Sequence, residues 1–214
     1  MRLPTLLLLT AKLAFFSTAA KSFAAETTEA ITHNAAGFDI PIMVVTPTAG
    51  EGPYPVVYHV HGGGWNGGTE TEVPAASVPA GWRFLTDELG IIHVGLAYRA
   101  KLQGNFSDAM QDLRDSIAWF EARAEKFDAD LTRVGFSGGS AGTPLSAVLA
   151  QEHPASRSYV GLYGVYDLLK NTESLFPNEE ARADFGLDTP ATQRAASPWH
   201  QLRAAPPAAL LFHG

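Results

Sequence analysis

The chain has 214 residues, 46% of them hydrophobic, which is enough to bury the core of one globular domain. Its formal net charge of −7 provides no electrostatic footprint for nucleic acid. There are no cysteines, which excludes disulfides, thiol catalysis and cysteine-based zinc sites.

Residues 1–24 have the layout of a secretory signal peptide. Arg2 gives a basic start, an apolar run follows, and a small-x-small site lies at 22–24. Lys12 interrupts the run, whereas a membrane span needs about 20 nearly uncharged residues. The sequence therefore predicts cleavage after this leader, no stable membrane anchor, a secreted or periplasmic location, and a folded domain over 25–214.

Strands and helical patterns alternate through this domain. The predicted strands are roughly 27–34, 38–46, 54–60, 91–98, 132–137, 158–164 and 208–213, and the predicted helices are 79–90, 107–127 and 140–151. This alternation predicts an α/β fold with a mostly parallel central sheet and helices on both faces. The polar stretch 168–200 is expected to cross the surface and not to form a second domain. The final strand, 208–213, is apolar and is expected to be buried in a complete fold, whereas in the given chain one of its edges is expected to have no partner.

The clearest helix is predicted at 107–127. Ser107 is the expected N-cap, and one apolar face consists of Ala109, Leu113, Ile117 and Phe120.

Residues 138–142, Gly-Gly-Ser-Ala-Gly, form a G-x-S-x-G pattern between an apolar strand and a helix. A serine on such a turn is exposed above the sheet, and the flanking glycines let the backbone pass. The following helix also favours developing negative charge at its N-terminus. These features predict Ser140 as a nucleophile. The alternatives are a phosphate-binding loop, although no lysine follows, or a plain tight turn.

A second glycine-rich motif, HVHGGGWNGG at 59–68, ends an earlier strand. The N–H groups of Gly63 and Gly64 are predicted to form an oxyanion hole together with that of Ala141, the residue after the serine. The alternative is a flexible linker.

With both motifs, residues from about 38 to 214 resemble α/β-hydrolases of the HGGG group, the esterases related to hormone-sensitive lipase. Within that group the chain is similar to secreted carboxylesterases that include feruloyl and acetyl-xylan esterase-like proteins. The resemblance implies an acyl-enzyme on Ser140, a small-molecule carboxylic ester as substrate, and no cofactor or metal. It also implies that Trp65 is a wall of the acyl pocket. Thr143 departs from the family, where a second glycine is frequent, and is expected to crowd the helix only mildly.

In this family the strand ending in His-Gly precedes the acid of the catalytic triad, and the histidine follows one strand later. The given chain stops at Gly214, so the resemblance implies an incomplete hydrolase domain that lacks the last strand and helix. Such a chain is expected to be nearly inactive. Two other functions stay open: a non-catalytic protein that binds esters, and a serine peptidase of the same fold.

Other residues are weaker candidates for the missing acid and base. Asp167 follows the sixth strand and is a minor candidate for the acid. The histidines available as a base are His33, His59, His61, His93, His153, His200 and His213. Of these, His93 is expected in the core and His153 is expected to face away from the serine. His59 and His61 share a strand face, so a metal pair is an alternative to one buried and one loop-orienting histidine.

Overall fold

The computed structural model describes residues 25–176 and 178–213; the predicted leader lies outside these ranges. Seven strands of the described residues form one sheet. They are β1 (Ala25–His33), β2 (Asp39–Pro47), β3 (Tyr54–Val60), β4 (Ile92–Leu96), β5 (Ala129–Gly139), β6 (Ser156–Leu162) and β7 (Ala208–Phe212). The α-helices are α1 (Phe84–Asp87), α2 (Phe106–Glu121), α3 (Gly142–Glu152), α4 (Leu168–Leu175), α5 (Glu179–Asp184) and α6 (Pro190–Ala195). In the described ranges, every helix is too short or too polar to cross a membrane.

The strand order is β1-β2-β4-β3-β5-β6-β7. β1 is antiparallel to β2, and β2 to β4. The other neighbours, from β4 through β3, β5 and β6 to β7, are parallel. The predicted mostly parallel sheet is therefore confirmed. Because parallel strands end at one edge of a sheet, the loops after β3, β5 and β6 meet there.

Both faces of the sheet are covered around β3. Successive residues of a strand point to opposite faces, and the ring of Tyr58 packs on Phe120 of α2 with centroids 5.8 Å apart. The ring of the next residue, His59, packs on Trp82 just before α1 at 5.4 Å. Helical segments therefore lie on both faces, as the sequence predicts.

Helix α2 begins at Phe106, and its N-cap is Asn105; the prediction of Ser107 is wrong. The Asn105 side chain accepts from the Asp108 N–H, and the Asp108 carboxylate accepts from the Asn105 N–H. This reciprocal capping box satisfies two free donors, whereas Ser107 lies inside the first turn. The predicted apolar face is fully buried.

The helix predicted at 79–90 is also wrong in its extent. A 3₁₀ turn covers Ala80–Trp82, and α1 itself has four residues. Gly81 has low helix propensity and weakens the first turn. Gly90, with φ of 64°, ends the segment in the left-handed conformation that glycine adopts readily.

The segment 168–200 forms the three short helices α4, α5 and α6. It contributes to the core more than a surface crossing does, because Phe176 and Phe185 are buried in the main apolar cluster. The ring of Trp65 stacks on Phe176 with centroids 5.4 Å apart and lies 5.2 Å from Phe185. These rings anchor the segment to the loop after β3.

Strand β7 is exposed, and its predicted unpaired edge is confirmed among the described strands. All five of its residues are exposed, and Leu211 retains 52% of its accessible surface. The reason is that β7 pairs with β6 on one side, while no described strand pairs with its other edge. Leu211, Phe212 and Trp82 are among the residues that line an apolar groove of about 860 Å³.

Candidate active site

Ser140 occupies the turn between β5 and α3, as its motif predicts. Its φ is 50°, in the left-handed region where a non-glycine residue is strained. The Ser140 N–H donates to the Leu162 carbonyl at 2.8 Å, and its own carbonyl accepts from the Thr143 N–H at 3.0 Å. The residue is exposed. The backbone is thus held at both ends while the side chain stays accessible.

Two glycines of this motif are required by close backbone contacts. A Cβ on Gly142 would overlap the carbonyl oxygens of Val60 and His61 at the end of β3. A Cβ on Gly138 would overlap the Ser146 hydroxyl in the first turns of α3. Glycine therefore allows α3 to begin directly against the neighbouring strand.

The glycine run after β3 lies against the serine turn. A Cβ on Gly62 would lie 2.9 Å from the Gly139 carbonyl oxygen and 3.1 Å from Ser140 Cβ. The motif predicts roles for Gly63 and Gly64, whereas the contact is made by Gly62, for which it predicts none. Its only sequence signal was its place as the first glycine of the run.

The predicted oxyanion donors have free N–H groups. Gly63 and Gly64 have φ of 119° and 63°, and both are exposed. The Gly63 carbonyl accepts from the Asn66 N–H at 3.0 Å, which closes a tight turn. Within the described parts of the chain, the N–H groups of Gly63, Gly64 and Ala141 donate to no backbone carbonyl. They are available to an incoming oxygen, and their role stays a prediction.

His61 holds the glycine loop. Its ring stacks on Tyr98 with centroids 4.7 Å apart, and its Nδ1 donates to the Gly62 carbonyl at 2.6 Å. Burial lowers the pKa of His61, although the Gly62 carbonyl opposes that shift. His59 instead makes a hydrogen bond to Ser137 Oγ at 2.9 Å, and burial lowers its pKa to about 4. The two histidines therefore have separate partners.

The remaining histidines have other surroundings. In the described ranges, no hydrogen bond joins a histidine ring to Ser140 Oγ. The hydrogen-bond partners are Asp39 for His33, Glu121 for His153 and Arg194 for His200. His93 is completely buried, as predicted, and His213 is exposed.

Asp167 and His200 lie next to each other in the structure, a contact that the sequence does not predict. His200 Nε2 lies 3.5 Å from Asp167 Oδ1. The Asp167 side chain also accepts from the Lys170 N–H and so caps α4. These contacts give the pair a structural role beside the end of β6.

Trp65 follows the glycine run with φ of 56° and is 5% exposed. Its ring is covered by Phe176 and Phe185, and its Nε1 has no hydrogen-bond partner among the described residues. The indole therefore packs between the glycine-rich loop after β3 and the segment 168–200.

A strained serine between a parallel strand and a helix, with a glycine-rich loop from the adjacent strand against it, defines an α/β-hydrolase. Residues 42–214 match the BD-FAE family model. The chain therefore belongs to the BD-FAE family, and its relatives are carboxylesterase-type hydrolases.

Similar proteins support the same class. The chain is 32% identical over 114 residues to carboxylesterase NlhH of Mycobacterium tuberculosis, covering 53% of this chain and 34% of that protein. It is 32% identical over 102 residues to arylacetamide deacetylase of Oryctolagus cuniculus, covering 45% of this chain and 24% of that protein. The solved hyperthermophilic esterase of Pyrobaculum calidifontis has a TM-score of 0.62 at 23% identity, over 87% of this chain and 65% of that one. The chain thus spans about a third or less of these curated relatives.

Proposed function

We propose that the protein is a serine carboxylester hydrolase in which Ser140 forms the acyl-enzyme. The observation that carries the proposal is the strained and exposed Ser140, held at its N–H and its carbonyl, with Gly62 packed against it. Backbone strain at an exposed polar residue is typical of functional sites.

The reaction has two halves. Ser140 Oγ attacks the ester carbonyl carbon and gives its proton to a base, and the carbonyl oxygen becomes an oxyanion. Collapse breaks the bond to the alcohol, which leaves with a proton, and water then hydrolyses the acyl-enzyme by the same steps. The N–H groups of Gly63, Gly64 and Ala141 stabilise the oxyanion in both halves. Their freedom from backbone partners supports this assignment.

Trp65 is proposed as a wall of the acyl pocket. It directly follows the glycine run, and its ring is held by Phe176 and Phe185. Because the side chain is only 5% exposed, it offers a substrate a narrow, rigid apolar edge. Small carboxylic esters are proposed as substrates because the relatives of the chain are carboxylesterases.

The described residues supply no partner to act as a base for Ser140. We therefore propose that the 214-residue chain by itself hydrolyses esters hardly faster than its Ser140→Ala variant. In a serine protease, loss of the triad histidine costs on the order of a million-fold in kcat, and a serine without a base is a poor nucleophile at neutral pH.

The test compares the chain with Ser140→Ala on p-nitrophenyl acetate and on a peptide p-nitroanilide. We expect nearly equal rates for both proteins on both substrates. Turnover on the order of 1 s⁻¹ or more that disappears in Ser140→Ala would show that a base lies within the chain. Substituting His59, His61, His200, His213 and Asp167 in turn would then identify it. A preference for the peptide would favour a peptidase.

The nucleophile is tested separately by extending the chain. Fusion to the C-terminal part of a related esterase supplies an acid and a histidine, and we expect ester hydrolysis that Ser140→Ala abolishes. Activity that survives Ser140→Ala would contradict the proposal.

Export is proposed on the basis of the leader at residues 1–24. Expression in a bacterial host followed by N-terminal sequencing of the exported protein should give a chain that starts at Ala25. A product that keeps residue 1 and stays in the cytoplasm would contradict it.

A further inference from the structure

We propose that Thr143 is a positioning residue whose hydroxyl holds the Ser140 turn in its strained conformation. The proposal rests on the proposed role of Ser140 as nucleophile. Thr143 does not contact Ser140 Oγ; it acts through the backbone on both sides of the serine.

The contacts of Thr143 surround the turn. Its N–H donates to the Ser140 carbonyl at 3.0 Å. Its hydroxyl lies 3.1 Å from the carbonyl oxygens of both Gly138 and Leu162. One hydroxyl proton is therefore shared between a carbonyl near the end of β5 and one at the end of β6. The Leu162 carbonyl is the same group that accepts the Ser140 N–H at 2.8 Å. A single side chain thus fixes the carbonyl that holds the nucleophile.

Thr143 is itself held in place. It is completely buried, and its carbonyl accepts from the hydroxyls of Tyr159 at 3.0 Å and Ser146 at 3.1 Å. These bonds hold the backbone of Thr143. A buried hydroxyl without an acceptor is costly, so the Gly138 and Leu162 carbonyls favour the rotamer in which the Thr143 hydroxyl reaches them. The predicted mild crowding at this position does not include these hydrogen bonds, which join segments distant in sequence.

Gly164 provides the space for this side chain. A Cβ on Gly164, just beyond the end of β6, would overlap Cγ2 and Cβ of Thr143. The threonine and the glycine are therefore complementary in shape. A side chain at position 143 requires a glycine at position 164.

The consequence concerns the strain at Ser140. A φ of 50° is unfavourable for serine and persists only where the surroundings hold it. The hydroxyl of Thr143 is part of those surroundings. Without it, the Leu162 and Gly138 carbonyls lose one donor, and the turn should open locally more frequently.

The test measures hydrogen exchange of the Ser140 amide by NMR, which does not require catalysis. In Thr143→Val, which keeps the shape but removes the hydroxyl, we expect exchange about tenfold faster than in the wild type, as for the loss of one hydrogen bond. Thr143→Ser keeps the hydroxyl and should restore exchange to within about threefold of the wild type. The Phe136 amide inside β5 reports on global opening and should change little.

The matched control is Thr86→Val. Thr86 is also buried, and its hydroxyl donates to the Ile91 carbonyl at 2.8 Å, in the segment around α1. This variant should leave Ser140 exchange unchanged. Equal acceleration of Ser140 in Thr86→Val and Thr143→Val, or unchanged exchange in Thr143→Val, would overturn the proposal.

Moving the glycine from position 164 to position 143 distinguishes the effect of side-chain shape from the effect of the hydroxyl hydrogen bonds. Gly164→Ala should lower the melting temperature, and the double variant Thr143→Gly/Gly164→Ala should recover much of it while Ser140 exchange stays fast. Recovery of slow exchange in the double variant would show that the hydroxyl is not needed. In contrast, equal ester hydrolysis by the extended chain and its Ser140→Ala variant would contradict only the role of Ser140 as nucleophile.

Discussion

Replacing His93 by leucine should make the protein less sensitive to acid. His93 is completely buried, and neither of its ring nitrogens has a partner among the described residues. Its ring lies 5.8 Å from that of His59 and 6.0 Å from Trp82. Burial, aided by His59, lowers the pKa of His93 to about 3.

The sign follows from proton binding. Below pH 6.5 the unfolded chain protonates this histidine, whereas the folded protein does not until its lower pKa of about 3 is reached. Stability is therefore fully present above pH 6.5 and declines as the pH falls, by about 1.4 kcal/mol per pH unit for each such histidine. Between pH 7 and pH 5, His93 accounts for a loss of about 2 kcal/mol. His59 and His61, whose pKa values are also lowered, act in the same direction.

The assay is urea unfolding followed by tryptophan fluorescence at pH 7, 6 and 5, with dilute protein. His93→Leu should lose about 2 kcal/mol less than the wild type between pH 7 and pH 5. At pH 7 it should be at least as stable, because two unpaired polar atoms leave the core. Thr86→Val changes a buried side chain that does not titrate, so it should keep the wild-type pH dependence. The same acid loss in the wild type and in His93→Leu would refute the reasoning.

Two further predictions concern charge and exposure. Asp112 is buried and accepts three hydrogen bonds from Arg99, so Asp112→Ala should lower the free energy of unfolding by roughly 3 to 5 kcal/mol. Arg114→Ala, which removes the exposed ion pair with Glu152, should cost less than about 1 kcal/mol in the same urea titration. Open apolar strand edges promote pairing between chains, so purified residues 25–214 should self-associate, which light scattering would detect. Leu211→Lys in β7 should reduce the self-association more than Leu89→Lys, which changes another exposed leucine. Equal effects of the two variants would exclude β7 as the contact.

The fold was largely predictable from local patterns. β3 is a largely apolar run followed by glycines, β4 is buried throughout, and α2 has a clear apolar face, so their positions follow from the sequence pattern. Helix ends depend on individual capping groups. Asn105 is the N-cap of α2 because its side chain and that of Asp108 bond each other's backbone N–H. The exposure of β7 depends on neighbouring strands and not on its own residues.

The candidate site was predictable in part. Ser140 was found because its motif is short and local. The contacts of Gly62 and Thr143 join segments that are distant in sequence, and they depend on the register between β3, β5 and β6. A pattern of residue types does not specify that register. The motif thus predicted the position of Ser140 in the turn between strand and helix, but not the residues that support that turn.

Replacing Gly142 by alanine tests whether the two motifs share one site. Its Cβ would overlap the carbonyl oxygens of Val60 and His61, and backbone atoms cannot move aside as a side chain does. Gly142→Ala should therefore lower the free energy of unfolding by about 1 to 3 kcal/mol and displace the glycine loop, which NMR would detect as large shifts of its amides. Gly139→Ala is the matched control, since a Cβ there meets no atom within 4 Å. If both variants have equal stability and unshifted loop amides, then β3 and α3 do not approach this closely. An oxyanion hole built from the loop and the residue after Ser140 needs that approach, so it would fail with it.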